Sequence, residues 1–258
     1  MLAPNASPYT GPGTNSYVVA GKNRACVVDP GPLNEAHLTL LSRLAGERGG
    51  LEAILLTHQH VDHSEGAARL RELTRVPILA SDHADTSLAD RMLSDGDVID
   101  VGGRDLRILY TPGHRFDHVC FLLEDNGDLF AGDMVAGAGT VLIAPPEGDL
   151  SDYLASLQRL MALDLTRIWP GHGPAIDSPL ERLAGYMAHR AQREQEVLAG
   201  LSAGAETTDA LVSRIYPDLD PTLRLAANLT LTAHLLKLER DGLATRGRLA
   251  GEERWRPI

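Results

Sequence analysis

The chain has few of the features that mark a secreted or membrane-spanning protein. Among its 258 residues there are two cysteines, Cys26 and Cys120, and both lie in apolar runs. So few thiols exclude a disulfide scaffold, and we expect both to be buried free thiols. No apolar run approaches the roughly eighteen residues that a membrane span needs. The first thirteen residues also lack a basic and apolar leader. These absences favour a cytoplasmic protein with no membrane contact.

Positive charge is scarce in the larger part of the chain. The net charge is −11, and residues 181–258 hold eleven cations and eleven anions, so the whole excess falls on residues 1–180. A polyanion would be repelled by that segment, which argues against strong non-specific binding of nucleic acid there. Bound divalent cations would offset part of the charge.

The order of the apolar segments predicts sheets covered by helices. Two short apolar runs, 16–20 and 25–29, flank Gly21-Lys22-Asn23 and predict a β-hairpin. Strands and helices then alternate, with strands at 51–56, 106–110, 119–123, 129–131 and 166–169 and helices starting near 35, 66 and 154. We expect helices on the outer faces of the sheets. The predicted domains are a large one over 1–180, a linker helix over 181–204 and a small helical one over 205–258.

The strongest functional signal is a histidine-rich block after the strand that ends at Leu56. His58, His60, Asp62 and His63 lie within six residues, and strand ends are where α/β sheets present ligands. Clustered imidazoles repel one another when protonated, whereas a metal ion uses them as neutral ligands. Because side chains alternate along an extended segment, His58 and His60 are expected to point the same way. Asp62 and His63 are expected to point elsewhere, toward a second ion.

Three more strand ends each carry one residue of a metal-binding type. His114 follows Thr111-Pro112-Gly113, Asp133 follows Ala131-Gly132, and His172 lies between Gly171 and Gly173. Any one alone is typical of a turn, but four such strand ends together indicate a shared metal site. Imidazole and carboxylate ligands without thiolate favour zinc, so we predict two Zn²⁺ ions, with iron and manganese left open. The other histidines, His37, His83, His189 and His234, are expected on helix faces or in a solvated loop.

With these residues the chain resembles the metallo-β-lactamase superfamily. The His-x-His-x-Asp-His block and the three later residues match that family's full ligand pattern. The resemblance implies an α/β fold, an αββα four-layer sandwich with the site at one edge of the two sheets. It also implies that His58, His60 and His114 hold one ion, that Asp62, His63 and His172 hold the other, and that Asp133 bridges them.

The implied chemistry is hydrolysis by metal-activated hydroxide. Two ions about 3.5–4 Å apart would hold the hydroxide, with the pKa of bound water lowered to about 7. Asp62 is predicted to orient this nucleophile and Asp133 to act with it between the ions. His118 is predicted to orient a ligand or to protonate the leaving group, and a hydrogen bond at the start of a strand is the structural alternative. Asp117 carries the same two interpretations, and Asp29, at a strand end before Pro30, is predicted to orient a ligand.

Within the superfamily the chain resembles the beta-lactamase-like protein 2 group over nearly its whole length. Residues 11–17, 110–114 and 169–174 follow that group's pattern, whereas Arg115-Phe116 departs from it. An aspartate at position 133 argues against a true class B β-lactamase. The additional downstream motif of ribonuclease Z is not found, and the C-terminal helices of glyoxalase II differ from residues 205–258.

The C-terminal segment has the pattern of a winged helix. Helices are predicted over 209–216 and through 228–239, and residues 243–246 are predicted to pair with Trp255-Arg256 as a two-stranded wing. In the family this domain accompanies cleavage of single-stranded RNA, in which basic side chains would contact phosphates. Those candidates are Arg246, Arg248, Arg254 and Arg256. A structural or dimerisation role is the alternative, because the domain has no net positive charge.

Three functional hypotheses follow. The first is a dinuclear zinc hydrolase whose family-implied substrate is single-stranded RNA. The second is a hydrolase of small-molecule thioesters or lactones, similar to glyoxalase II. The third is a binding or scaffold protein that assembles through its winged helix, with a homodimer as one form.

Overall fold

The computed structural model describes all 258 residues and contains two five-stranded sheets. In the first sheet β1 is antiparallel to β2, and the following strands all run parallel to their neighbours. Its strands, in spatial order, are β1 (Tyr17–Ala20), β2 (Ala25–Val28), β3 (Leu51–Leu55), β4 (Ile78–Ser81) and β5 (Arg91–Leu93).

The second sheet is mostly antiparallel, and only β9 and β10 pair in parallel. Its spatial order is β10-β9-β8-β7-β6. The bounds are β6 (Val98–Asp100), β7 (Asp105–Tyr110), β8 (Val119–Leu123), β9 (Asp128–Gly132) and β10 (Arg167–Pro170).

Helices cover the outer face of each sheet, which confirms the predicted αββα layers. Helices α1 (Glu35–Gly46) and α3 (Ala67–Thr74) pack on the first sheet, and α4 (Leu150–Met161) and α5 (Pro179–Ser202) on the second. Alternation within β2 divides its side chains between two cores. Cys26 and Val28 face the other sheet, whereas Val27 faces the helices. Both cysteines are buried and free, as expected.

The C-terminal domain has its own core. It contains α6 (Thr208–Ile215), a 3-10 turn (Pro221–Leu223), α7 (Arg224–Arg240) and a hairpin of β11 (Ala244–Leu249) and β12 (Glu252–Pro257). Trp255 is fully buried there among Val197, Leu231 and Leu235. Because Val197 belongs to α5, the long helix is shared by both domains. None of the helices combines the length and apolarity needed to cross a bilayer.

Strand directions bring the predicted site residues to one edge. Strands β7 and β9 are both antiparallel to β8, and β10 is parallel to β9, so these three strands end on the same side. In the first sheet β2 and β3 are parallel and also end together. The short helix α2 (Val61–Ser64) begins just beyond β3. Every histidine and aspartate of the predicted set therefore lies in a loop or first turn at this edge.

Candidate metal centre

The predicted ligands form two adjoining clusters. His58, His60, His114 and Asp133 offer ligand atoms that all lie within 4.8 Å of one another, and Asp62, His63 and His172 form a second group by the same measure. In the first cluster His60 Nδ1 lies 2.9 Å from His58 Nε2 and 3.0 Å from His114 Nε2. In the second, His63 Nε2 lies 3.3 Å from His172 Nε2. Apart from Asp133, which the resemblance implied as a bridge and which falls in the first group, the residues divide as the resemblance implied.

Asp133 lies between the clusters with one oxygen directed to each. Its Oδ2 is 3.5 Å from His114 Nε2, and its Oδ1 is 3.4 Å from both His63 Nε2 and His172 Nε2. Oδ1 is buried and has no hydrogen-bond partner. An orphaned buried carboxylate oxygen facing several imidazole nitrogens is costly unless a cation neutralises it. The residues therefore fit a pair of divalent cations bridged by Asp133.

A hydrogen-bond chain behind the clusters fixes the tautomers of two ligands. Asp29 Oδ2 accepts from the Thr57 hydroxyl at 2.7 Å and from His63 Nδ1 at 2.9 Å. Since the Thr57 hydroxyl gives its proton to Asp29, it accepts from His58 Nδ1 at 3.0 Å. Both imidazoles are thus held by Nδ1 with Nε2 directed into the site, which is the usual outer support of a metal-binding histidine.

Backbone carbonyls orient two further imidazoles. His114 Nδ1 donates to Leu142 O at 2.7 Å, and His172 Nδ1 donates to Gly13 O at 3.3 Å. These bonds leave Nε2 of each ring for a metal ion. Loop residues far apart in sequence therefore hold the ligands in place.

Burial and the neighbouring charges set the protonation of the imidazoles. Burial lowers the pKa of His58, and it lowers the pKa of His60 to about 3, helped by the charges of His114 and Arg115. Burial alone would also lower the pKa of His172, but the nearby carboxylates of Asp133 and Asp62 outweigh it and raise that pKa to about 9. A cation would find the imidazoles of His58 and His60 neutral, but it would have to displace a proton from His172. We therefore expect proton release on metal binding.

Glycines at the strand ends allow the backbone to approach the ligands closely. A Cβ at Gly171 would lie 2.6 Å from Asp133 Oδ1 and 2.7 Å from His63 Cε1. At Gly132, where φ is +46°, a Cβ would lie 2.5 Å from the Thr57 hydroxyl. A side chain at either position would push the ligands apart. This close approach explains why glycine occupies both positions.

A cavity of about 670 Å³ opens directly above the clusters. His60, Asp62, His114, Asp133 and His172 form its floor. One wall is the N-terminal segment 8–12, and a second is the loop 136–142. The third comes from the C-terminal domain, through Tyr216, Leu219, Leu223, Ala226, Ala227 and Thr230. No lysine or arginine lines the cavity.

Comparison with known proteins then decides the family. The model of the metallo-beta-lactamase superfamily matches residues 9–172, and the model of the beta-lactamase associated winged helix domain matches residues 207–255. The chain belongs to the metallo-beta-lactamase superfamily. A relative named beta-lactamase-like protein 2 homolog, from Caenorhabditis elegans, is 34% identical, covering 94% of this chain and 84% of the relative. Another, named atrochrysone carboxyl ACP thioesterase dmxR1, from Cryptosporiopsis sp., is 30% identical, covering 99% of this chain and 83% of the relative.

Solved structures of the superfamily share the fold. The metallo-beta-lactamase family protein TTHA1429 from Thermus thermophilus superposes with a TM-score of 0.79 at 25% identity, over 95% of this chain and 94% of that one. TTHA1623, described in a di-iron-bound form, superposes with a TM-score of 0.56 at 29% identity, over 68% of this chain and 94% of that one. The cluster is thus a dinuclear His/Asp centre typical of this superfamily.

His118 lies behind the superfamily's metal-binding cluster and does not line the cavity. It is fully buried, its Nε2 accepts from the Asp133 backbone N–H at 3.1 Å, and its Nδ1 lies 3.0 Å from the Thr111 hydroxyl. Both ring nitrogens are therefore engaged. In this placement His118 holds the backbone of Asp133, and its two predicted roles, orienting a ligand and protonating a leaving group, stay predictions.

Asp117 also has a supporting position. Its Oδ2 accepts from the Gln59 backbone N–H at 3.0 Å, and its Oδ1 accepts from Arg115 Nε at 2.7 Å. Gln59 separates His58 from His60, so Asp117 holds the segment between two ligands. Arg115, which departs from the family pattern, is thereby used as a partner of Asp117 and of Glu147, whose Oε2 lies 2.8 Å away.

The winged-helix prediction is confirmed, and the basic side chains of the wing face carboxylates. Arg246 lies 3.1 Å from Glu239, and Arg256 lies 3.2 Å from Glu206. Arg254 lies 2.8 Å from Glu252, whereas Arg248 has no ion-pair partner. These pairs neutralise most of the charge that a phosphate backbone would need.

The C-terminal wall of the cavity was missed by sequence reasoning. The sequence pattern that could have pointed to this wall is the spacing of four, three and four residues between Leu219, Leu223, Ala226 and Thr230. That spacing predicts one face of a helix but does not say what the face covers.

Proposed function

We propose that this protein is a metal-dependent hydrolase of acyl compounds, a thioesterase whose substrate carries an apolar acyl group. The observation that carries the proposal is the cavity, which ends on the dinuclear cluster, has mainly apolar or small walls and is lined by no lysine or arginine. Its volume of about 670 Å³ suits a small organic molecule. Thioesters are neutral at the reacting carbon and need no cationic path to reach the metals.

The chain's own residues supply an ordered site for attack on a carbonyl carbon. Two divalent cations held by the clusters would supply Lewis-acid activation of water and of the carbonyl oxygen. Burial alone would raise the pKa of Asp62, but the hydrogen bond from His172 and the charge of His63 lower it. Asp62 is therefore an ionised carboxylate on the cavity floor, placed to accept a proton from the attacking water.

The reaction breaks the acyl C–S bond and forms a C–O bond to water, and the water proton passes to the departing thiolate. Asp62 is the residue placed to carry this proton, because its carboxylate borders the cavity and its side chain keeps 29% of its surface exposed. Asp133 directs one carboxylate oxygen to each cluster and so sets the distance between the two clusters. His118, Asp29 and Leu142 hold ligands in register for this geometry.

One relative supports an acyl substrate by name. A fungal protein that matches 99% of this chain is named an ACP thioesterase. Carried over to this protein, that name fits a cavity whose acyl-facing wall is built by Leu219, Leu223 and Ala226. Lactones present the same carbonyl chemistry and belong to the same proposal as smaller substrates.

Single-stranded RNA, the substrate that the resemblance implied, is the competing candidate. Phosphodiester binding rests on lysine and arginine contacts with phosphates. The cavity offers none, the net charge is −11, and three of the four wing arginines face carboxylates. The winged helix is the one feature in favour of RNA, and in this molecule its helical side forms one wall of the cavity.

The test is a direct comparison of substrates on protein loaded separately with zinc, iron and manganese. Hydrolysis of short- and long-chain acyl thioesters is followed by thiol release, and cleavage of labelled single-stranded RNA by gel electrophoresis. We expect thioester hydrolysis that a chelator abolishes and that prefers the longer acyl chain. Cleavage of RNA without any thioester hydrolysis would reject the proposal.

Variants show whether the measured hydrolysis comes from this metal site or from a contaminating enzyme. The double variant His58→Ala, Asp133→Ala removes one ligand of the first cluster and the carboxylate that lies between the clusters, and is expected to abolish hydrolysis. His83→Ala is the matched control, because His83 is a histidine with 51% of its side chain exposed and lies outside both clusters. Equal activity in wild type and the double variant would favour a scaffold role instead.

A further inference from the structure

Three side chains of α5 hold the loop 136–142, which forms one wall of the cavity. Arg182, Tyr186 and Arg190 follow one another at four-residue spacing and so lie on one face of the helix. Arg182 donates to Ala136 O at 2.7 Å and to Gly139 O at 2.9 Å. The Tyr186 hydroxyl accepts from the Ala136 backbone N–H at 2.9 Å. Arg190 continues the series.

Arg190 binds the loop next to the carbonyl that orients a metal ligand. Its Nη2 donates to Val141 O at 2.6 Å, and the next carbonyl, Leu142 O, accepts from His114 Nδ1 at 2.7 Å. One peptide unit therefore separates the guanidinium contact from the contact to the ligand. A shift of Val141 would move Leu142 O and rotate the His114 ring.

The surroundings of Arg190 are unusual for an arginine. Only 1% of the residue is exposed, its Nε has no hydrogen-bond partner, and no carboxylate pairs with it. The guanidinium lies 5.4 Å above the ring of Tyr153. The Tyr153 hydroxyl in turn donates to Met134 O, beside Asp133. Burying a guanidinium without a counter-ion is costly, and an apolar side chain would fill the space without that cost. Stability alone therefore does not explain an arginine at this position.

We propose that Arg190 is a positioning residue of the metal centre. It fixes the Val141–Leu142 peptide so that His114 presents Nε2 to the first cluster, and its contact with Tyr153 supports the segment that carries Asp133. Because α5 also contributes to the C-terminal core, the same helix links the winged-helix domain to the geometry of one metal ligand. The inference rests on the metal-binding cluster and is independent of the substrate.

Cobalt titration tests the role without any substrate. Cobalt(II) is added to wild type and to Arg190→Met, and binding is followed by visible absorption with a competing chelator. Outer contacts of metal ligands typically contribute a factor of about 10–100 in affinity. We expect Arg190→Met to weaken one of the two binding steps about tenfold, to change the absorption of that ion, and to leave the other step unchanged. Arg190→Lys, which keeps a donor, should recover part of the loss.

Lys237→Met is the matched control. Lys237 on α7 pairs with Glu194 on α5 at 2.7 Å, so the variant also removes a cation between these helices but touches no group of the loop. It should bind cobalt as wild type does. The proposal is overturned if Arg190→Met binds both ions as wild type does, or if it and Lys237→Met weaken both steps alike.

A second variant covers the case in which Arg190→Met does not fold. Tyr186→Phe removes only the hydroxyl that binds Ala136 N and Gly139 O. We expect it, with Arg190→Lys, to weaken the same single step by a smaller factor, and unchanged affinity in both would refute the role of the α5 side chains. Failure of wild type to bind cobalt would instead refute the metal centre itself.

Discussion

Replacing Asp29 by asparagine tests the support of the metal ligands most directly. Asp29 has a φ of 49°, in the left-handed region, where asparagine is as well tolerated as aspartate. The backbone therefore has no reason to move. An asparagine can keep the bond from its carbonyl oxygen to the Thr57 backbone N–H, which Asp29 Oδ1 accepts at 2.8 Å. Only the second oxygen is exchanged, for an amide nitrogen.

In Asp29→Asn the new amide N–H group, a hydrogen-bond donor, would face two other donors. Asp29 Oδ2 accepts from the Thr57 hydroxyl and from His63 Nδ1. His63 can relieve the conflict by moving its proton to Nε2, which faces Asp133 and His172 and would then no longer bind a metal. A hydrogen bond to a charged group contributes about 1.5–3 kcal/mol. We therefore expect metal binding to weaken by a factor of about 10–100.

The assay is competition with a chromophoric chelator at fixed pH, for wild type and Asp29→Asn. Asp90→Asn is the control, because Asp90 also accepts a backbone N–H, from Ile78 at 2.9 Å, but contacts no histidine. It should bind metal as wild type does. If Asp29→Asn retained wild-type affinity, the argument that tautomer control depends on Asp29 would be wrong.

Four further outcomes are expected. In an acyl-thioester series, each added methylene should raise kcat/KM about fourfold, since its burial contributes about 0.8 kcal/mol, until the cavity is filled; a flat series would contradict an acyl-binding role. Ala226→Arg puts a cation into the cavity and should lower kcat/KM for long-chain thioesters at least about tenfold, as an apolar chain loses burial there; a gain in RNA cleavage instead would favour the phosphodiester alternative. Burial, with the charges of Arg190 and Arg193, lowers the pKa of His234 to about 3. The unfolded chain therefore takes up a proton below pH about 6.5 that the folded chain does not, and the free energy of unfolding should fall as pH falls through that range, by up to about 1.4 kcal/mol per pH unit; denaturant unfolding should show a shallower fall in His234→Leu. Trp255→Ala should cost about 3–5 kcal/mol in the same measurement, because it empties the core of the C-terminal domain.

The metal ligands were predictable because their signal is local. Each follows a buried strand within a few residues, and His58 and His60 share a cluster as the alternation of side chains predicts. His83, expected to be solvated, has 51% of its side chain exposed. The tautomers were not predictable, since they depend on Asp29, Leu142 and Gly13, which come from distant loops.

Short or edge elements and contacts between domains escaped prediction. Strands β4, β5 and β6 were missed, and β5 and β6 have only three residues each, with too little alternation to distinguish them from loops. His234 lies on a helix, as expected, but its full burial was not predicted, because it depends on the packing of α7 against α4 and α5. The linker position of Arg190 gave no hint of its burial, since that depends on the loop 136–142 closing over it.

The cavity is built from two parts of the chain. Its floor is fixed by loops of the two sheets. Leu223, Ala226 and Thr230, on the third wall, belong to the C-terminal domain, which has its own core. We expect substitutions on this wall to alter which molecules fit, because none of its residues belongs to either ligand cluster. The same metal site can thus be combined with binding walls of different shape and polarity. New substrate selectivity in such proteins is best sought, or engineered, along the helix face formed by Leu223, Ala226 and Thr230.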